Sequence, residues 1–260
     1  MRNSKILIFL FLISACSSNL LKQAEKLYKQ KRYPEAAKYF EKYYLNYPKK
    51  EKADYAAYYA GLIYSSKLYV CEEAKRSFEF LIKKFPKSQY YQESYFRFFI
   101  CPNYVFPKYN KFYFGDSESY GKNASELIYI TKKDYQKIDF TSKIYAGKKL
   151  LKTQKKQYII DANRVLEKNE TGVSKIIINY SKEGIWKYSL NGQVYFAKMV
   201  YAGDIKVKAG EFSNCVKVME SVEGSNTKII TYYAPEIGKI LTSSLYEDKE
   251  TRIMELIKYE

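Results

Sequence analysis

Apolar residues recur at helical spacing from about Leu20 to Cys101, and the segment repeats itself. Ala24, Tyr28 and Tyr33 return as Ala60, Tyr64 and Tyr69, each 36 residues on, while Ala36, Phe40 and Pro48 return as Ala74, Phe78 and Pro86, each 38 on. The two added residues fall in one turn, because Tyr33 to Ala36 is three steps and Tyr69 to Ala74 is five. This spacing predicts two helical hairpins. Small Ala at matched sites lets paired helices approach, and Pro stops each second helix. A further helix is predicted over Gln89 to Ile100, and Cys101-Pro102-Asn103 ends the pattern. Such arrays need about three units to close a core, so the helical part is expected to lean on the second half of the chain or on a partner.

Beyond Pro107 the period changes to two. Strands are predicted over Lys175 to Tyr180, Ile185 to Leu190, Gln193 to Lys198, Asp204 to Lys208, Cys215 to Val222, Lys228 to Tyr233, Lys239 to Leu245 and Ile253 to Tyr259. Lys182-Glu183-Gly184 and Asn191-Gly192 read as hairpin turns, and Glu223-Gly224-Ser225-Asn226 as a longer one. The stretch from Phe112 to Glu167 is less regular, with strands over Glu126 to Thr131 and Lys156 to Ile160. No crossover helix fits between these runs, so the expectation is an antiparallel meander of about eight to ten strands forming a curved sheet or partial barrel. The predicted fold class is therefore α+β, with helical hairpins over 20–103 followed by a curved antiparallel β-sheet or half-barrel over 104–260.

One segment fits neither period. Arg2 and Lys5 precede an apolar run from Ile6 to Ile13, too short to span a bilayer, which stops at Ser14-Ala15-Cys16. A charged start, a short apolar core and small residues are the parts of a secretory leader, here residues 1–15. Ile13-Ser14-Ala15-Cys16 resembles the lipobox of bacterial lipoproteins. That resemblance implies lipidation of Cys16 with three fatty chains, a tether over 16–19 and residence in the cell envelope. Ser17 rather than Asp after the cysteine fits transport to an outer membrane facing the periplasm.

Two further resemblances cover the mature chain. Tyr33-Pro34-Glu35-Ala36 with Phe40 and Tyr47-Pro48, then Glu73-Ala74 with Phe78, Phe85-Pro86 and Ser88, resembles tetratricopeptide repeats. The similarity is to the longer-period repeats of outer-membrane lipoproteins such as that of the β-barrel assembly machinery. It implies helical hairpins that bind partner proteins. The stretch Lys206 to Val218, with Tyr232-Tyr233-Ala234-Pro235-Glu236-Ile237-Gly238-Lys239-Ile240 and Glu255 to Tyr259, is similar to a family of exported bacterial β-domains. Those domains imply a curved antiparallel sheet, related in shape to the half-barrels of lipoprotein carriers.

Composition narrows the chemistry. Histidine is absent, which removes the commonest general base, the Ser-His and Cys-His pairings and His-containing zinc sites. Ser119-Tyr120-Gly121-Lys122 has the Ser-x-x-Lys spacing of penicillin-binding enzymes without their other elements. Glu211, Glu220 and Glu223 have nothing in the pattern to pair them as acid and base. The expectation is no enzyme, no catalytic residue, no metal and no cofactor. The net charge of +17 is spread along the chain, with its densest cluster at Lys148, Lys149, Lys152, Lys155 and Lys156. In an exported chain this points to a solvated surface, or to contacts with anionic lipid or acidic cell-envelope polymers, and away from nucleic acid.

Cys71, in the turn of the second hairpin, and Cys101, at the end of the next helix, fall at the same edge of a stacked array and are candidates for a disulfide. Tyr55, Tyr58 and Tyr59 on one helix, with Tyr91 and Tyr95 on another, recur at helical spacing. They read as core or as a groove in which tyrosines contact a bound peptide. The functional expectation is a lipid-anchored scaffold or adaptor binding envelope proteins through its helices, with outer-membrane assembly as its setting. The alternative is a carrier holding a hydrophobic or lipid ligand in the curved sheet.

Overall fold

Matched positions of the repeat become helix contacts. The structure, a computed structural model, describes residues 19–134, 136–161, 163–180 and 184–260, so the leader, Cys16 and the Lys182-Glu183 part of a predicted turn lie outside the described residues. Helix α1 covers residues 19–29, α2 Tyr33–Asn46, α3 Ala53–Ile63, α4 Cys71–Lys84 and α5 Tyr91–Phe99. From α2 onward each helix packs on the next. Ala24, Ala36, Ala60 and Ala74 are fully buried in one core with Phe40 and Phe78, the pairs that the repeat relates. Gly61 brings α3 closest to α4, since a methyl group there would lie 2.5 Å from the Phe78 ring.

The two-residue insertion has a physical form. After Ile63 the helix continues as a π-helical turn, Tyr64–Leu68, and Tyr69 then reverses the chain with φ of 56°. A wider turn absorbs extra residues without breaking the helix axis. The Ser65 and Ser66 hydroxyls donate to the Leu62 carbonyl at 3.2 and 2.7 Å, satisfying an acceptor that the wider turn changes.

The chain divides after Pro102 into two compact units, and the second, from Asn103, is all β. Its strands are β1 (Lys111–Asp116), β2 (Ala124–Lys133), β3 (Lys137–Ala146), β4 (Lys149–Asp161), β5 (Arg164–Asn169), β6 (Ser174–Asn179), β7 (Ile185–Leu190), β8 (Gln193–Val207), β9 (Gly210–Val222), β10 (Lys228–Ala234), β11 (Gly238–Tyr246) and β12 (Lys249–Tyr259). All pair antiparallel in one sheet, in the order β6-β5-β4-β3-β2-β1-β12-β11-β10-β9-β8-β7. The first strand pairs with the last, so the two edges, β6 and β7, are neighbours in sequence. They meet through the Trp186 indole N–H, which donates to the Ile176 carbonyl at 3.2 Å. The sheet is a nearly closed barrel.

Two details depart from the pattern. The expected strands Gln193 to Lys198 and Asp204 to Lys208 are one strand, β8, bent by irregular pairing on both sides of Gly203, whose φ is +75°. The number of strands also exceeds the expected eight to ten, because Phe112 to Glu167 forms five in succession. The tip of the β8–β9 hairpin folds back on β12, where the Ala209 N–H donates to the Leu256 carbonyl at 2.9 Å and the Lys208 N–H to the Glu255 carboxylate at 2.9 Å.

Candidate functional site

The inward face of β1 to β5 follows from the register. Phe114 lies opposite Glu126, Ile128 opposite Ser142, Phe140 opposite Lys156, and Tyr158 opposite Glu167. Polar side chains therefore alternate into a face that is otherwise apolar, and each must find a partner there. Glu126 accepts from the Ser142 hydroxyl at 2.6 Å and pairs with Lys239 at 3.0 Å. The Lys239 ammonium also sits 4.4 Å from the centre of the Phe114 ring. Lys156 pairs with Glu167 at 3.1 Å. Glu220 accepts from the Tyr188 hydroxyl at 2.6 Å, with Lys175 at 3.9 Å.

Three carboxylates, three lysines and the tyrosines between them thus form a balanced interior. Burial works to raise the Glu126 carboxyl, but Lys239, the Ser142 hydroxyl and Lys156 outweigh it and hold the group below the usual range. Tyr233 is pushed well above the usual phenol range by burial and then by Glu220 and Glu167. Near neutral pH these two shifts favour ionised Glu126 and neutral Tyr233.

Beside this network lies an apolar cavity bordered by Phe112, Phe114, Ile128, Ile138 and Phe140, with a volume of about 50 Å³. A water occupies roughly 10–15 Å³ on this measure, whereas small-molecule sites run from roughly 300 Å³ upward, so this cavity is too small for such a ligand. Cys215 is buried, donates its thiol to the Phe212 carbonyl at 3.1 Å, and has its pKa raised by burial to about 11. It is a packed side chain whose protonated thiol form is favoured at neutral pH. Among the described residues no group of three or more Cys, Asp or Glu converges as for a metal ion.

In the helical unit Cys71 and Cys101 are joined by a disulfide, with their Cα atoms 5.6 Å apart. The five tyrosines of the candidate groove divide. Tyr58 is buried, stacks on Tyr90 with ring centres 4.5 Å apart and donates its hydroxyl to Glu93 at 2.6 Å. Tyr55 and Tyr59 are half-buried with ring centres 4.5 Å apart, and both pack on Phe40. These three line the inside of the helical core. Tyr91, half-buried, also packs against this core and stacks its ring along α5 on Tyr95, which leans on Phe99 at 5.1 Å and remains 41% exposed. Spacing alone could not separate the two sets, because both recur at helical intervals.

The interior network was not legible as a site in the sequence. Its members stand up to 113 residues apart, as Glu126 and Lys239 do, and only the barrel register gathers them.

No family model matches the chain, and no curated protein matches it. Among solved structures it is similar to a candidate lipoprotein from Parabacteroides distasonis, at 11% identity and a TM-score of 0.40, over 60% of this chain and 97% of that one. It is also similar to a candidate exported protein with a YmcC-like fold from Bacteroides fragilis, at 12% identity and a TM-score of 0.41, over 60% and 99%. A β-barrel-like domain of unknown function from Brucella abortus matches at 11% identity and a TM-score of 0.26, over 53% and 72%. Likeness at this level carries no inference about function.

Proposed function

We propose that this chain is a lipid-anchored adaptor of the cell envelope, tethered through acylated Cys16 and binding partner proteins through its helical unit. One observation carries the reading: paired charges occupy the barrel's inward face, and the apolar cavity beside Phe112, Phe114 and Phe140 measures about 50 Å³. A carrier for an acyl chain would need several times that volume. Function is thereby assigned to surfaces, and no reaction is assigned to the chain.

The tetratricopeptide resemblance supports the helices as the partner-binding unit, and the exposed ring of Tyr95 beside Tyr91 offers aromatic area of the kind that dominates binding energy. The Cys71–Cys101 disulfide accords with an oxidising compartment, as the leader implies. Outer-membrane assembly, on the periplasmic face, is the setting that the lipobox and repeat resemblances favour.

Fractionation of the host expressing wild-type protein or Cys16→Ser tests the anchor. The wild type is expected in the membrane fraction and the variant in the soluble fraction of the envelope. Retention of Cys16→Ser in the membrane would contradict the tether. Native electrophoresis of detergent extracts tests the partner, since Tyr91→Ala with Tyr95→Ala is expected to convert a larger complex to the free protein.

A further inference from the structure

The turn between β3 and β4 stands out by charge and exposure together. Between Asp139 and Asp161 the chain carries six lysines and no acid. Lys156 is taken up by Glu167, and Lys143 lies 5.5 Å from the centre of the Tyr129 ring. Among the described residues no ion pair engages Lys148, Lys149, Lys152 or Lys155. At the end of neighbouring β1, Asp116 is occupied by the Ser119 hydroxyl at 2.6 Å and the Ser119 and Ala124 amides at 2.7 and 3.1 Å.

Two leucines sit within this cluster. Leu150 is 48% and Leu151 58% exposed. Pairing explains why they stay uncovered: β5 begins to pair with β4 only at Lys156, so the first seven residues of β4 have a neighbour on one side only. A register shift leaves Leu151 without an opposite residue, while Leu150 faces Tyr145. Tyr145 and Leu150 share a face with Lys143, one row further along the hairpin, and Lys155, two rows further, whereas Lys149 and Lys152, opposite Ala146 and Ile144, lie on the other face, so the tip carries lysines on both sides. The turn itself is braced, since the Gly147 N–H donates to the Asn123 carbonyl at 2.7 Å.

A rigid tip carrying two bare leucines, a tyrosine and four unmatched lysines is costly in water, where like charges repel and apolar area is wetted. It is matched to a surface that is apolar beneath and anionic above. We infer that the β3–β4 hairpin docks the barrel on an anionic lipid bilayer, Leu150 and Leu151 entering the interfacial layer and the lysines meeting headgroup phosphates. Each lysine near such a leaflet strengthens association about fivefold, and a single element with several of them falls off steeply with salt. The inference takes from the proposed function only that a membrane is at hand.

The test uses full-length protein reconstituted on vesicles of phosphatidylcholine, alone or with about a third phosphatidylglycerol. Amine-reactive labelling is read residue by residue by mass spectrometry. Labelling of Lys148, Lys149 and Lys152 is expected to fall by at least about threefold on the anionic vesicles and to recover near 1 M salt. Lys137, at the opposite end of β3, is expected to label equally on both. Leu150→Ser with Leu151→Ser, both exposed and so compatible with folding, is expected to lose most of the protection. Equal labelling of the three lysines on the two vesicle types would overturn the inference. Acylation of Cys16 is read from the intact mass of the same sample, so failure of the anchor and failure of the hairpin are distinguishable.

Discussion

Trp186 on β7 donates its indole N–H to the carbonyl oxygen of Ile176 on β6, at 3.2 Å, where the edges of the twelve-stranded sheet meet. A side chain thus spans the place where a backbone ladder would close the barrel. Trp186→Phe keeps an aromatic body in the buried site but leaves the carbonyl without this donor, at a cost of about 1 kcal/mol. Amide exchange is expected to quicken in β6 and β7 first, before β1 and β12, which are paired on both sides. Uniform acceleration across the barrel would show that the seam is no weaker than the rest.

The disulfide closes a loop of 30 residues from the start of α4 to the end of α5. Cross-links of this span stabilise by about 3 kcal/mol through the unfolded chain. Reduction is therefore expected to lower the melting point of the helical unit, followed by far-ultraviolet circular dichroism. Cys71→Ser with Cys101→Ser should melt at the same lowered temperature and lose its response to reductant.

Gly61 and Phe78 are in contact, and a methyl at Gly61 would fall 2.5 Å from a ring that is itself fully buried. Gly61→Ala is expected to destabilise the helical unit by about 1–3 kcal/mol despite alanine's better helix propensity. Denaturant unfolding of the variant checks it, and an unchanged or raised midpoint would mean that α3 and α4 can move apart freely.

Glu126 has its carboxyl pKa lowered in the fold, burial being outweighed by Lys239, Ser142 and Lys156. A lowered folded value means that the charged form contributes stability above the unfolded pKa of about 4.5, and that this is lost as pH falls through the folded value. Acidification below that range is expected to weaken the barrel, and Glu126→Gln should flatten this limb of the stability curve. Glu126→Ala, which strands Lys239 at neutral pH, is expected to cost about 2–3 kcal/mol. Unfolding curves across the acid range measure both.

The helices were largely legible because their contacts are local. Ala24, Ala36, Ala60 and Ala74 announce a repeat, and burial of all four follows from close helix approach. The strands from Lys175 onward were legible where apolar alternation is clean. Between Phe112 and Glu167 it is not, because Glu126, Ser142, Lys156 and Glu167 occupy inward positions. Inward charge reads as exterior until a partner is known, and the partner of Glu126 lies on β11. Bending at Gly203 likewise split one long strand into two in the pattern, since a bulge interrupts the period without interrupting the strand. The aromatic positions on α3 and α5 have the same spacing, and only packing separates the core set from Tyr95.

Site-specific photocrosslinking from position 95 in the native envelope tests the adaptor account most directly. A photoreactive phenylalanine analogue in place of exposed Tyr95 is expected to yield discrete protein adducts, absent when the analogue replaces buried Tyr44. Adducts with lipid alone, or the same protein adducts from both positions, would contradict the claim that this helical face receives a protein partner.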